Sequence, residues 1–239
     1  MSVPSAVVCL PTYNERENLE KMVRALGDKG VNVLVVDDNS PDGTGEIADR
    51  LATELDYVSV LHREKKEGIG RAYIAAFELL LRESAAELIL EMDCDFSHDP
   101  ADVPRLIAAV EEGADLALGS RYVPGGGTAN WGLVRRLISR CASIYTRVLL
   151  MPIHDSTGGF KCFRRRVLES IDLETIDAAG YVFQIETTYR TLRKGFDVVE
   201  IPIRFADRTA GQSKMSRAIV LEAVWKVPAL RLAALTGRL

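Results

Sequence analysis

The sequence predicts an α/β fold, a mostly parallel sheet covered by helices on both faces, and three observations carry that expectation. Over roughly the first half of the 239 residues, short apolar runs alternate with amphipathic stretches of helical period. The connections between them are short. The residues best suited to chemistry stand just after the apolar runs, which is where ligands bind in such sheets.

Each element follows from its own pattern. Buried strands are expected over residues 6–10, 31–36, 57–61, 88–92 and 114–118. In the first helix Leu19, Met22, Val23 and Leu26 fall at i, i+3, i+4 and i+7, with Asn14 and Glu17 spaced as a capping box. The second helix follows Pro41-Asp42-Gly43-Thr44, and the third covers residues 70–82. The fourth begins at Asp99-Pro100, an N-cap followed by proline at the first helical position. Beyond Gly119 the pattern changes. A glycine-rich loop at 124–127 leads to a long helix over 131–150 and a short segment around Gly158-Gly159-Phe160-Lys161. A helix over 183–193, a strand over 198–203 and a C-terminal helical region follow. No linker breaks the chain, so residues 1–216 read as one domain and 217–239 as a helical extension.

Composition narrows the class. With 47% hydrophobic and 27% charged residues, the chain is neither a disordered tail nor a repeat array. Cys9, Cys94, Cys141 and Cys162 are scattered without ligand spacing, which argues against a disulfide framework or structural zinc and for a reducing compartment. The N-terminal apolar run lacks the positive flank of a signal peptide. No stretch approaches the ~18 consecutive apolar residues of a membrane span. The most apolar region, 217–239, is interrupted by Glu222, Lys226, Pro228 and Arg231. The net charge of −4 hides a basic sector, because residues 121–166 hold nine Lys/Arg and a single acid, Asp155. Such a sector suits an anionic partner on one side, or equally a solvated cationic face.

Four segments carry candidate chemistry. In LILEMDCDFSHDP a buried run ends in Asp93 and Asp95, whose i, i+2 spacing puts both carboxylates on one side of an extended chain. Held close, they repel unless a cation lies between them, and a divalent cation shared with substrate phosphates relieves the repulsion. Asp99 reads as a helix cap and His98 as a residue that packs or is solvated, neither of them catalytic. In VVDDNSPDGT, Asp37 and Asp38 could accept from a base or ribose, while turn chemistry alone would also account for the segment. PTYNE offers the Tyr13 ring for stacking and Glu15 as an acceptor. FADRTAGQSKMS sets Arg208 and Lys214 around small polar residues, as in a lid over phosphates or an ordinary basic loop.

Taken together, PTYNE, VVDDNSPDGT, DCDFSHDP, GSRYVPGG, STGGF, GYVFQIE and DRTAGQSKMS resemble the polyprenol- and dolichol-phosphate mannose synthases, family 2 glycosyltransferases with the Rossmann-like GT-A fold. The resemblance runs from Pro11 to Ser216 and implies transfer of mannose from GDP-mannose to a polyprenyl phosphate with inversion. It implies that Pro11, Tyr13, Glu15, Val36 and Asp38 hold the guanosine. Asp93 and Asp95 would hold Mg²⁺ or Mn²⁺ on the diphosphate, beside the Cys94 backbone, with Asp95 and Arg121 central to catalysis. Arg208 and Lys214 would meet the donor's phosphates. Arg121, Arg135 and Ser139 would meet the acceptor phosphate. Ser97 stands where some relatives place a glutamine that contacts the metal. In the helix over 131–150, Arg136, Arg140, Ser143 and Arg147 form a cationic stripe among Leu, Ile and Val, which suits an anionic membrane surface. The implied partners are therefore GDP-mannose, polyprenyl phosphate, the cytoplasmic surface of a membrane and a separate membrane protein, with no nucleic acid. A glucosyltransferase using UDP-glucose and a non-catalytic nucleotide-binding subunit are the competing readings.

Overall fold

The fold comes from a computed structural model that describes residues 5–176, 180–207 and 217–237. In chain order the first elements are β1 (Ala6–Thr12), α1 (Leu19–Gly27), β2 (Asn32–Asp37), α2 (Thr44–Glu54), β3 (Val58–His62), α3 (Ile69–Glu83) and β4 (Leu88–Glu91). Next come α4 (Val103–Glu111), β5 (Leu116–Ser120), β6 (Gly127–Thr128), α5 (Leu133–Leu149), β7 (Lys161–Arg164) and α6 (Arg165–Ser170). The chain closes with α7 (Tyr181–Arg193), β8 (Val198–Pro202), β9 (Arg204–Phe205) and α8 (Arg217–Leu235).

Seven strands form one sheet in the order β3-β2-β1-β4-β7-β5-β8, and β6 pairs with β9 in a separate ribbon. Alternation along the strands builds two cores. Val8, Leu10, Val33, Val35, Leu88 and Leu90 pack with residues of α1, α2 and α4. Val7, Cys9, Leu34, Val36 and Ile89 pack with residues of α3, α6, α7 and α8. Because both faces are covered, the strands read as unbroken apolar runs in the sequence.

β7 is the element the periodicity does not reveal. It enters the middle of the sheet antiparallel to both β4 and β5, pairing Lys161 with Glu91 and with Leu118. A central strand that begins in lysine and ends in arginine breaks the apolar rule for such strands. Lys161 is fully buried, and its Nζ donates to the Gln184 carbonyl at 2.9 Å, to Gln184 Oε1 at 2.5 Å and to Thr187 Oγ1 at 2.9 Å. The Glu91 carboxylate lies 4.0 Å away. Burial pulls the Lys161 ammonium down to about 8, against the opposing pull of Glu91. Burial likewise raises Glu91, opposed by Lys161 and by the Gln184 amide.

Local expectations divide. Asp99 caps as expected, accepting from the Ala101 N–H at 2.9 Å ahead of a 3₁₀ turn (Pro100–Asp102) that runs into α4. The capping box of Asn14 and Glu17 does not form. α1 starts after Asn18, and Asn14 takes φ 60° while its N–H donates to Ser40 Oγ at 3.1 Å. That bond ties the first loop to the second, and it takes Asn14 away from the helix end.

The basic sector is not one face. Arg165 donates to the carbonyls of Leu81 (2.6 Å) and Ser84 (2.9 Å), closing the C-terminal end of α3 where orphan acceptors collect. Arg164 donates to the Val110 carbonyl and Arg166 to Asp115 Oδ1. With Lys161 in the core, these four cations do structural work, which leaves Arg121 and the arginines of α5.

α5 turns its small polar residues inward. Ser139, Ser143 and Thr146 are buried, so Ser143 leaves the expected stripe while Arg136, Arg140 and Arg147 stay exposed. Leu133 (80%), Val134 and Val148 (78%) face outward. The C-terminal region packs back onto the body. Val227, Leu230 and Ala234 of α8 join the core, while Trp225 is 77% exposed.

Replacing Lys161 with Met should cost about 3–5 kcal/mol, because Glu91 is then buried without a counter-charge. The measurement is the urea midpoint at unchanged slope. Adding Glu91→Leu should recover at least half of the loss, and a double variant no more stable than the single one would contradict the pairing.

Candidate active site

A cavity of about 740 Å³ opens beyond the carboxyl ends of β1, β2 and β4. Its wall includes Pro11, Tyr13, Glu15 and Asp38, then Asp93, Cys94 and Asp95, then Arg121, Arg135 and Ser139. Ten of the residues singled out in the sequence thus share one space. Val36 does not, because its side chain is fully buried in the sheet. Arg208 and Lys214 lie outside the described residues.

Three tight turns bring the strand ends to the cavity, each through a non-glycine residue in the left-handed region: Asn14, Asn39 and Phe96. Asparagine tolerates that backbone, whereas an aromatic residue there is an outlier of the kind that clusters at functional sites. Two aspartates split their work. Asp37 holds its turn, accepting from the Ser40 N–H at 3.1 Å and from Ser40 Oγ at 2.6 Å. Asp38 faces the cavity and pairs with Arg63. Burial pushes the Asp38 carboxyl up, against the lowering pull of Arg63. Tyr13 lies with the Lys66 ammonium 3.7 Å from its ring centroid, a cation–π contact on the cavity wall. The Glu15 carboxylate accepts from Asn18 at 2.9 Å.

The loop after β4 is held from within. Asp95 Oδ1 accepts from the Ser97 N–H at 3.0 Å, and His98 Nδ1 accepts from the Asp93 N–H at 3.2 Å. Asp95 therefore has a turn contact and still lines the cavity. Of the two expectations for His98 the packed one holds: it is buried, stacked on Phe160 at 4.9 Å with Phe205 edge-on at 5.1 Å, and it also lines the cavity. Ser97 is buried away from the wall, and burial raises the Cys94 thiol. Asp93 and Asp95 reach the same cavity, and no group of three or more acids, histidines or cysteines gathers there among the described residues. That donor set fits a hard divalent ion that keeps several positions for water and phosphate oxygens.

At the other end, Arg121 is locked by a partner that sequence reasoning passed over. Asp155 is fully buried and accepts from Arg121 Nε at 2.7 Å, from Nη2 at 2.6 Å and from the Arg121 backbone N–H at 2.8 Å. Thr157 Oγ1 accepts from the same Nη2 at 2.8 Å. Glu200 in turn takes the backbone N–H groups of His154 and Asp155, both at 2.9 Å. The signal was visible, since Asp155 is the single acid in the basic sector. Arg135 stands 4.1 Å from the Trp131 ring centroid and donates to Asp207 Oδ1 at 2.7 Å. The Tyr122 hydroxyl donates to Ser139 Oγ at 2.7 Å. Rings of Phe160, His98, Phe205 and Trp131 touch in series and join the acidic loop to the cationic end.

Acid at one end, fixed cations at the other and strand termini between them suit two phosphorylated ligands side by side. Known proteins resemble this chain in sequence and in fold. The polyprenol monophosphomannose synthase of Mycolicibacterium smegmatis is 51% identical over 225 residues, 92% of this chain and 84% of that protein. The undecaprenyl-phosphate mannosyltransferase of Micrococcus luteus is 48% identical over 228 residues, 94% and 93% of the two chains. Among solved structures, glucosyl-3-phosphoglycerate synthase from Mycobacterium tuberculosis superposes with a TM-score of 0.68 at 19% identity, covering 97% of this chain and 80% of that one. The mannosyltransferase PcManGT from Pyrobaculum calidifontis, solved with GDP-Man and Mn²⁺, superposes with a TM-score of 0.58 at 17% identity, covering 98% and 74%. These last two likenesses concern the fold. The family model described as Glycosyl transferase family 2 matches residues 7–172, and with the close relatives above it establishes that this chain belongs to that family.

Proposed function

We propose that the chain transfers mannose from GDP-mannose to a polyprenyl monophosphate of the dolichyl type, with inversion at the anomeric carbon. One observation carries this reading. The cavity that holds Asp93 and Asp95 also holds Arg121, Arg135 and Ser139, and it continues to Leu137, Ile138, Ala142 and Tyr145 of α5 and Val224 of α8. A nucleotide sugar and a lipid phosphate with an apolar tail fit one space with those three zones. The names of the two close relatives support mannose as the sugar and a polyprenyl phosphate as the acceptor.

In this reading a phosphate oxygen of the acceptor attacks the anomeric carbon as the bond to GDP breaks. A phosphate monoester has a second pKa near ~6, so at neutral pH it attacks without a general base. The chain's own task is then positioning. Asp38, Glu15 and Tyr13 hold the nucleoside, and Arg121, Arg135 and Ser139 hold the acceptor phosphate in line. Asp155 keeps the Arg121 fork in one orientation. Asp93 and Asp95 would hold Mg²⁺ or Mn²⁺, which when bound stabilises charge growing on the departing diphosphate. Arg208 and Lys214 are assigned to the same phosphates by their place in the sequence.

Among the described residues no helix is long and apolar enough to cross a membrane. The outward apolar residues of α5 and Trp225 of α8, beside exposed Arg136, Arg140 and Arg147, support peripheral contact with an anionic membrane surface, which this reading puts on the cytoplasmic side. Residues 217–239 would then be a membrane-proximal extension of the catalytic domain.

Labelled GDP-mannose with a short-chain polyprenyl phosphate should yield labelled lipid, and a chelator should stop the reaction. Asp93→Ala and Asp95→Ala should each lose at least about 100-fold in kcat/KM with the melting temperature little changed. Near-normal turnover in either variant would defeat the assignment. Arg135→Ala should raise KM for the lipid phosphate about tenfold and leave KM for GDP-mannose within about twofold. Asp155→Asn should lower kcat/KM for the lipid by about tenfold or more, since a loosened Arg121 no longer aligns the acceptor.

A further inference from the structure

Gln184 lies on α7, is 4% exposed, and forms part of the cavity wall. Its amide is held by Lys161, whose Nζ donates to Gln184 Oε1 at 2.5 Å and to the Gln184 carbonyl at 2.9 Å. An ammonium group has donors and no acceptor, so the amide oxygen must face Lys161 and the NH₂ must turn away. Glu91 lies on one side of that NH₂. The other side faces Gly159, where an added Cβ would come within 3.2 Å of Gln184 Nε2.

The position of Gly159 gives this donor its meaning. β4 and β7 run antiparallel with Glu91 across from Lys161, so the chain leaving β4 towards Asp93 and the chain entering β7 from Gly159 lie at the same end of the sheet, and both residues line the cavity. Two residues before Gly159, Thr157 accepts from Arg121. The Thr157–Gly159 strip, which lines the cavity, therefore spans from the acceptor-phosphate cations to the diphosphate carboxylates. A sugar bonded to the diphosphate and attacked from the cation end has to cross that strip. Gly158 lets the strip lie close against the Gly119 carbonyl, and the bare Gly159 leaves the Gln184 N–H uncovered beside it.

We propose that Gln184 reads a hydroxyl of the donor hexose, and that Lys161 acts as a positioning residue which fixes the amide with its NH₂ towards the sugar. The inference rests on reading the donor as a nucleotide-linked hexose. A site built to hydrogen-bond a substrate hydroxyl discriminates strongly, because its buried donor is left unpaired by the wrong ligand.

The test compares affinities for GDP and for GDP-mannose, in the presence of Mg²⁺ or Mn²⁺, in the full chain and in Gln184→Leu. Leucine keeps the backbone carbonyl to which Lys161 donates, so the core contact survives. GDP should bind within about twofold of the unaltered chain, while GDP-mannose should weaken by about tenfold or more and kcat/KM should fall in parallel. Gln184→Glu keeps an oxygen towards Lys161 and replaces the donor with an acceptor, so it should show the same loss. If both variants keep the original ratio of GDP-mannose to GDP affinity, Gln184 does not touch the sugar. The ratio of UDP-glucose to UDP is measured alongside. A chain that prefers the uridine donor would fail the proposed donor while the same ratio still decides the role of Gln184.

Discussion

A lysine at the centre of a sheet, beyond the reach of water, is the constraint around which this structure is arranged. Lys161 needs acceptors, and it takes them from Gln184 and Thr187 on α7 while facing Glu91 on β4. Such a pair is costly to desolvate and more costly to break, so it pins the two elements rather than adding much net stability. Its consequence is geometric. The antiparallel strand that carries Lys161 delivers the 154–160 loop to the carboxyl ends of the parallel strands, beside the loop of Asp93 and Asp95. Phe160 can then stack on His98, and Asp155 can reach Arg121.

The two ends of the cavity are held by different means. At the acidic end the backbone does the holding. Left-handed turns at Asn14, Asn39 and Phe96 aim short loops, and side chains such as Asp37 and His98 satisfy loop N–H groups. At the cationic end the side chains hold one another. Arg121 is fixed by a buried carboxylate, and Arg135 by an indole face and Asp207. Pairing an arginine with an aspartate reduces its net charge but fixes its direction. In the proposed reaction, whose nucleophile is already an anion, direction is the scarcer quantity.

The residues picked out from the sequence come together in one cavity where their place follows directly from position on a strand. Residues after β1, β2 and β4 sit where ligands bind in any open parallel sheet, so Tyr13, Asp38, Asp93 and Asp95 were found from local pattern and resemblance together. Sequence reasoning failed where a residue's role depends on a partner far along the chain. Asp155 lies 34 residues from Arg121, and Gln184 lies 23 from Lys161. No periodicity links such pairs. The basic sector misled for a related reason, because Arg164, Arg165 and Arg166 are spent on carbonyls and on Asp115 inside the fold.

By itself, then, the amino-acid order determined the α/β class, the alternation of strand and helix through α4, and the carboxylates at the strand ends. All of these are local consequences of side-chain period, capping and turn chemistry. Tertiary structure decided that a polar segment would become a central antiparallel strand. It also decided that α5 would seat its hydroxyl face and turn its leucines outward, and that one arginine would be locked while others served the core. Those outcomes depend on which groups burial forces to find partners, and only the packed chain determines which partners are in reach.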